Sequence, residues 1–220
     1  MNDAVVFDMD GVIVDSEQVW DDVREQLARE RGGRWHDGAQ AAMMGMSSPE
    51  WSAYMHDEIG LRESPAEINA VVVEGMLERY REVLPLIDGA VAAVRRLAPE
   101  FRLGVASSSN LPLIEAVLER AGIADVYDAV VSSEEVARGK PAPDVYLEAM
   151  RRLGVEPTST AAIEDSSNGI RAAHAAGMRV IALPNVHYPP APDALTLADA
   201  VVESTHELTP ELVRGLSHPG

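Results

Sequence analysis

The sequence predicts an α/β protein with a doubly wound parallel sheet and an all-helical unit inserted after its first strand. Three observations lead there. Short apolar runs rich in β-branched residues alternate with longer amphipathic stretches, several closed by a glycine such as Gly122, Gly154 or Gly177. Four of the runs end in acids, hydroxyls or a lone lysine, and residues 17–84 carry helical apolar spacing without a convincing strand. Such alternation implies a parallel sheet with helices on both faces and ligands bound beyond the carboxyl ends of its strands.

The first strand is read at 4–8, where Ala4-Val5-Val6-Phe7 is short and free of charge, as suits a strand covered on both faces. It runs into Asp8-Met9-Asp10-Gly11. Side chains alternate along a strand, so Asp8 and Asp10 share one face, where they repel unless a cation or a shared proton relieves them. Hard oxygen ligands suit magnesium. Solvated acids at a strand end are the plainer alternative.

Residues 17–84 read as a separate helical domain, its spacing broken by Gly32-Gly33, Ser47-Ser48-Pro49 and Ser64-Pro65. The chain crosses near 14–16 and 85–88, which leaves 1–16 and 85–220 as the α/β core. A helix at 89–97 leads to a strand at 102–106, which runs into Ser107-Ser108-Ser109-Asn110 at the start of a helix at 111–121. Helix N-termini attract phosphate, although serine is also a common cap. After a strand at 129–131 comes Arg138-Gly139-Lys140-Pro141-Ala142-Pro143-Asp144, opening a helix at 144–153. Lys140 is the only lysine beside 17 arginines, which marks the position as chosen for a compact ammonium rather than for solubility.

A strand at 160–164 ends in Glu164-Asp165-Ser166, a second acid pair, before a helix at 168–176. Strands at 179–183 and 200–202 and a helix at 210–216 complete the pattern, with Pro189-Pro190-Ala191-Pro192 as a stiff loop between the strands. Acids before a helix also serve as caps. Acid pair, hydroxyl, lysine and acid pair nonetheless converge on one edge of the predicted sheet.

Composition narrows the function. The 220 residues are 46% hydrophobic and 25% charged, enough for a sizeable core, and no stretch approaches a membrane span. No signal-like segment precedes the first strand, so the expected location is cytoplasmic. The absence of cysteine removes disulfides, thiolate metal sites and cysteine nucleophiles. A formal charge of −18 argues against nucleic-acid or anionic-membrane partners. An anionic substrate would need strong local compensation.

Asp8-x-Asp10-Gly11-Val12, Ser107, Lys140 in Gly-Lys-Pro-x-Pro-Asp and Glu164-Asp165-Ser166 resemble, in order and over nearly the whole chain, the four motifs of the haloacid dehalogenase superfamily. The likeness is to its β-phosphoglucomutase and sugar-phosphate phosphatase branch, with a Rossmann-like core and a helical cap. The resemblance implies that Asp8 is a nucleophile forming an aspartyl-phosphate and that Asp10 protonates the leaving oxygen, then activates water. It implies that Ser107, with Ser108 and Ser109 beside it, holds the phosphoryl oxygens and that Lys140 neutralises charge. Magnesium would sit among Asp8, the Asp10 carbonyl and Asp165, with Glu164 in or near its shell.

Within the family it resembles, the dehalogenases lack the second aspartate, so Asp10 implies phosphoryl transfer over carbon–halogen cleavage, and the phosphonate-cleaving members form an imine on a cap lysine that 17–84 lacks. Trp20 and Ser48 stand where the mutases keep a histidine and an arginine, in a cap of fourteen acids and seven arginines. Hydrolysis of a small phosphorylated metabolite is therefore expected, by a monomer or weak dimer, with a β-phosphoglucomutase-type mutase as the alternative. Glu17 would accept from sugar hydroxyls and Trp20 would wall the pocket; a first-turn acid is the plainer reading of Glu17. Met43, Met44, Met46, Trp51, Tyr54 and Met55 read as the cap's own core. A phospho-receiver signalling domain also gathers acids, a hydroxyl and a lysine at strand ends, but needs little more than half this length and no helical insertion.

Overall fold

The computed structural model describes residues 2–216. Alternation along β1 (Ala4–Phe7) divides the interior in two, because Val5 and Phe7 belong to one apolar core and Ala4 and Val6 to another. Four helices follow: α1 (Glu17–Arg31), α2 (Ala39–Met43), α3 (Ser48–Asp57) and α4 (Pro65–Glu82). The remainder alternates: α5 (Ala90–Leu97), β2 (Arg102–Ser107), α6 (Leu111–Arg120), β3 (Ala129–Ser132), α7 (Asp144–Leu153), β4 (Thr160–Glu164), α8 (Ser167–Ala175), β5 (Arg179–Ala182), α9 (Pro192–Leu195), β6 (Ala200–Val201) and α10 (Pro210–Gly215). Each predicted strand is present within one residue at either end.

The six strands are parallel, in the order β3-β2-β1-β4-β5-β6. Strand order runs outward from β1 to β3 and restarts at β4 on the other side of β1. A sheet that reverses in this way opens a crevice at the switch point, beyond the carboxyl ends of β1 and β4. Both acid pairs lie there. Val5, Phe7, Leu103, Val105 and Ile163 pack on one face with Leu97, Leu113 and Val117, while Val6, Ala106 and Ala162 pack on the other with Tyr146, Met150 and Ile170.

Between residues 17 and 84 no strand occurs. Helix α1 buries Trp20, Val23, Arg24, Leu27 and Ala28, a single helical stripe. The breaks read at Ser47-Ser48-Pro49 and Ser64-Pro65 are helix starts. Ser47 and Ser64 each cap a helix reciprocally with Glu50 and Glu67, and a proline occupies the first turn. The same mechanism corrects the stiff-loop reading of Pro189-Pro190-Ala191-Pro192, since Pro192 opens the short helix α9. Where the chain leaves and re-enters the sheet, Asp15 N–H donates to Pro85 O at 2.8 Å and Ile87 N–H to Ile13 O at 3.0 Å. Among the described residues no helix is long and apolar enough to cross a membrane.

Candidate active site

Strand β1 delivers Asp8 and strand β4 delivers Glu164 and Asp165 to the crevice, and all three carboxylates are buried. Lys140 reaches between them from the loop before α7, next to a cis Lys140–Pro141 peptide. Its ammonium donates to Asp8 Oδ1 at 2.8 Å and to Glu164 Oε1 at 2.6 Å, with only 3% of the side chain exposed. Tyr146 O–H donates to the same Glu164 oxygen at 2.6 Å, and Ser166 N–H and O–H approach the other at 3.4 and 3.2 Å. Glu164 is thus committed to fixing the lysine.

Asp8, Glu164 and Asp165 offer carboxylate oxygens that all lie within 4.8 Å of one another. Three buried carboxylates against one ammonium leave an excess of negative charge. Burial accordingly pushes Asp8 up to about 8 against the pull of Lys140, and burial with the neighbouring Glu164 charge holds Asp165 well above the usual carboxylate range. The lysine responds in the opposite sense. Burial would depress it, but the attraction of Asp8 and Glu164 prevails and raises it. An all-oxygen, net-negative set of this kind fits a hard divalent cation such as magnesium.

Asp10 lines the same cavity and is held on both oxygens. Its Oδ1 accepts from Ser16 O–H at 2.5 Å and from Trp20 Nε1–H at 3.4 Å; its Oδ2 accepts from Ser109 O–H at 2.7 Å and Ser107 O–H at 3.4 Å. Ser107 is fully buried at the end of β2, and its oxygen accepts from Ser109 N–H at 3.0 Å. Ser107 does not line the cavity; Ser108, Ser109 and Ser166 do.

The opposite wall comes from α1 and the segment after α2. Glu17, Trp20 and Arg24 share one face of α1 and line the cavity with Met43, Met44, Met46 and Trp51. These methionines and Trp51, expected from sequence to form the cap's own core rather than a ligand stripe, wall the cavity; Tyr54 and Met55 do not line it. Gln40 Nε2–H donates to Glu17 Oε2 at 2.8 Å. Burial and then the nearby Asp10 charge push Glu17 up to about 7. Ser48, by contrast, lies outside the cavity, where its hydroxyl donates to Asn110 Oδ1 at 2.9 Å.

Of the site residues expected from sequence, Asp8, Asp10, Glu17, Trp20, Ser108, Ser109, Lys140 and Asp165 line the cavity, while Ser107 and Glu164 are buried in contact with Asp10 and Lys140. Sequence reading missed Arg24, Gln40, Tyr146, Asn168, Asn185 and Tyr188. Only Arg24 left a signal, its spacing of three, four and seven residues with Trp20 and Glu17 on one helix face. Asn185 and Tyr188 belong to the loop after β5, whose local composition carries no chemistry.

Comparison with known proteins agrees with this geometry. A family model described as haloacid dehalogenase-like hydrolase matches residues 2–177. Hexitol phosphatase B of Escherichia coli (strain K12) is 34% identical over 216 residues, covering 94% of this chain and 94% of the relative. Fructose-1-phosphate phosphatase YqaB of the same organism is 32% identical over 184 residues, covering 81% of this chain and 94% of the relative. The crystal structure of β-phosphoglucomutase from Clostridium difficile matches with a TM-score of 0.83 at 25% identity, covering 98% of this chain and 97% of that one. With sheet order, acid placement and sequence likeness in accord, the chain belongs to the haloacid dehalogenase-like hydrolases, in the branch that includes β-phosphoglucomutase-like sugar phosphatases.

Proposed function

We propose that the protein is a magnesium-dependent phosphatase of small phosphomonoesters, sugar or polyol phosphates in particular, with residues 17–84 acting as a cap over the site. The observation that carries this reading is the pairing of Lys140 with Asp8 in the cavity that Asp10 also lines. Asp8 attacks phosphorus as the bond to the leaving oxygen breaks, and protonated Asp10 gives its proton to that oxygen. Asp10 then takes a proton from water, whose oxygen attacks phosphorus and releases phosphate from Asp8. An ester on Asp8 divides one hard displacement into two, and one acid serves both halves in turn.

Lys140 offsets the charge shared between Asp8 and the phosphoryl group, and Ser108 and Ser109 face the phosphoryl oxygens. Asp8, Asp165 and the Asp10 carbonyl would hold magnesium, with Glu164 beside them; the bound ion supplies positive charge to the transferring group. The names of the relatives, a hexitol phosphatase and a fructose-1-phosphate phosphatase, support a sugar or polyol phosphate here. Trp20 and Ser48 stand where the mutases keep a histidine and an arginine, which counts against the mutase alternative, and family membership leaves the phospho-receiver alternative without support.

A panel of phosphomonoesters assayed with magnesium and with excess chelator tests the reading. Phosphate release with magnesium, lost with chelator and reduced by several orders of magnitude in Asp8→Asn, is the expected result. An Asp8→Asn protein with a tenth of the activity removes Asp8 as the nucleophile.

A further inference from the structure

Arg24 is a buried cation that the phosphoryl chemistry does not use. It is 4% exposed, lies on the cavity wall formed by α1 and is flanked by two indoles, with its guanidinium carbon 4.4 Å from the Trp20 ring centroid and 4.8 Å from that of Trp51. These faces fix it in place. Among the described residues no carboxylate lies within ion-pairing distance of it. Its one side-chain hydrogen bond runs from Nη1–H to Gln40 Oε1 at 3.4 Å, and Nε is buried without a partner. Desolvation pulls it down to about 10 despite the attraction of Glu17, Asp10 and Asp21. A guanidinium withdrawn from water and left under-bonded is costly unless something in the cavity accepts from it.

The neighbour that decides the ligand is Glu17. Gln40 accepts from Arg24 through its amide oxygen and donates to Glu17 Oε2 through its amide nitrogen at 2.8 Å. A donor and an acceptor are thus braced at the two ends of one amide, both on the cavity wall. A second phosphate would suit Arg24 but would be set against Glu17 and Asp10. An apolar tail would leave both groups unpaired. A hydroxyl satisfies both, since its oxygen accepts and its proton is donated.

We infer that Arg24 and Glu17, braced by Gln40, read hydroxyls on the carbon chain of the substrate, Arg24 donating to a hydroxyl oxygen and Glu17 accepting the proton of that hydroxyl or its neighbour. The inference rests on the phosphatase reading and adds to it the residues that select a polyhydroxy substrate.

The test is kcat/KM for hexitol 6-phosphate, n-hexyl phosphate and hexitol 1,6-bisphosphate in the wild type, Arg24→Met and Glu17→Gln. Sites built to bond a hydroxyl discriminate strongly against analogues that lack it, so the wild type should prefer hexitol 6-phosphate over hexyl phosphate by about 100-fold or more. Each variant should shrink that preference at least tenfold, with the loss concentrated on the hydroxylated substrate. Arg24→Lys, which keeps the charge and loses the planar fork, should fall between, and it serves if Arg24→Met does not fold. Equal losses on both substrates would make Arg24 structural and overturn the inference while leaving the phosphatase reading intact. A loss concentrated on the bisphosphate would reassign Arg24 to a second anion and also overturn it. A wild type inactive on all three with magnesium but active on another phosphomonoester of the panel overturns this inference and leaves the phosphatase reading intact.

Discussion

The carboxylate of Asp165 fills the space that a side chain on Gly11 would need. Gly11 has a φ of +76°, and a Cβ built on it would overlap both oxygens and the carboxyl carbon of Asp165. A second glycine repeats the arrangement, because a Cβ on Gly169 would overlap the Glu164 carboxylate. The acids at the end of β4 are thus seated on backbone, which sets their position closely.

Gly11→Ala should therefore act twice, through the left-handed backbone, at about 1–3 kcal/mol of stability, and through displacement of Asp165. Magnesium titrations of activity should show a weaker apparent affinity together with a lower melting temperature. Gly169→Ala sits inside α8, where propensity alone favours alanine by up to ~1 kcal/mol, yet it should destabilise by moving Glu164. A stabilised Gly169→Ala protein with unchanged activity would mean that the Glu164 carboxylate tolerates the shift.

Lys140→Ala leaves the buried Asp8 and Glu164 carboxylates without their shared ammonium, and breaking such a pair from one side costs about 3–5 kcal/mol of stability. Loss of one preorganised charge from the site should also lower kcat by about 10²–10³-fold. Lys140→Arg should rescue stability in part and activity poorly, since a planar fork cannot donate to both carboxylates as a compact ammonium does. Because the side chain is 3% exposed, amine-directed labelling of Lys140 in the native protein should be slow and should accelerate under mild denaturant.

Glu17 predicts a pH effect. Burial raises its carboxyl from 4.5 to about 7, so the folded protein holds a proton that the unfolded chain releases. The stability linked to this group is fully present below about pH 4.5 and is lost as pH rises through about 7. Glu17→Gln removes that loss. The melting temperature of the variant relative to wild type should rise between pH 5 and pH 8, and a difference that is flat across the range would show that Glu17 does not titrate there.

Ser109 O–H donates to Asp10 Oδ2 at 2.7 Å. Hydrogen bonds to charged groups contribute about 1.5–3 kcal/mol, so Ser109→Ala should reduce kcat by on the order of tenfold with poor leaving groups, while magnesium dependence stays as it is. A shift confined to the magnesium titration would separate Ser109 from Asp10.

Much of the sheet, and the gathering of acids and lysine at its edge, is legible in the sequence. Val5 and Val6 announce a doubly buried strand by composition alone, Asp8 and Asp10 stand at its end, and Lys140 declares itself by being the one lysine in an arginine-rich chain. Arg24 had no such contrast. It is one of 17 arginines, and its contacts with Trp51 and Gln40 come from distant segments, a tertiary fact. Ser107 and Ser109 illustrate the same limit at short range, since three consecutive serines do not say which hydroxyl faces the cavity and which turns under it. Pro192 was read as loop because proline both stiffens turns and opens helices.

The cavity lies between α1 with residues 43–51 on one side and the carboxyl ends of the sheet strands on the other, so withdrawal of α1–α4 from the sheet would widen it for substrate. One amide restrains that motion. Asn110, ahead of α6, donates from Nδ2 to Glu134 Oε1 at 2.6 Å and to Asn69 Oδ1 at 3.1 Å, and its Oδ1 accepts from Ser48 O–H at 2.9 Å. Ser48 opens α3 and Asn69 lies in α4, so this side chain ties both helices to the sheet. Asn110→Asp preserves shape but replaces two donated bonds with a carboxylate facing that of Glu134, a like-charge contact that favours separation. Hydrogen exchange in the first turns of α3 and α4 should accelerate at least tenfold at pH 8, with β1 and β4 still protected, and kcat/KM should fall as the closed population falls. Protonation near pH 4 should restore much of the protection. Unchanged exchange at pH 8 would show that the helices are held to the sheet by their apolar contacts and that Asn110 is no restraint.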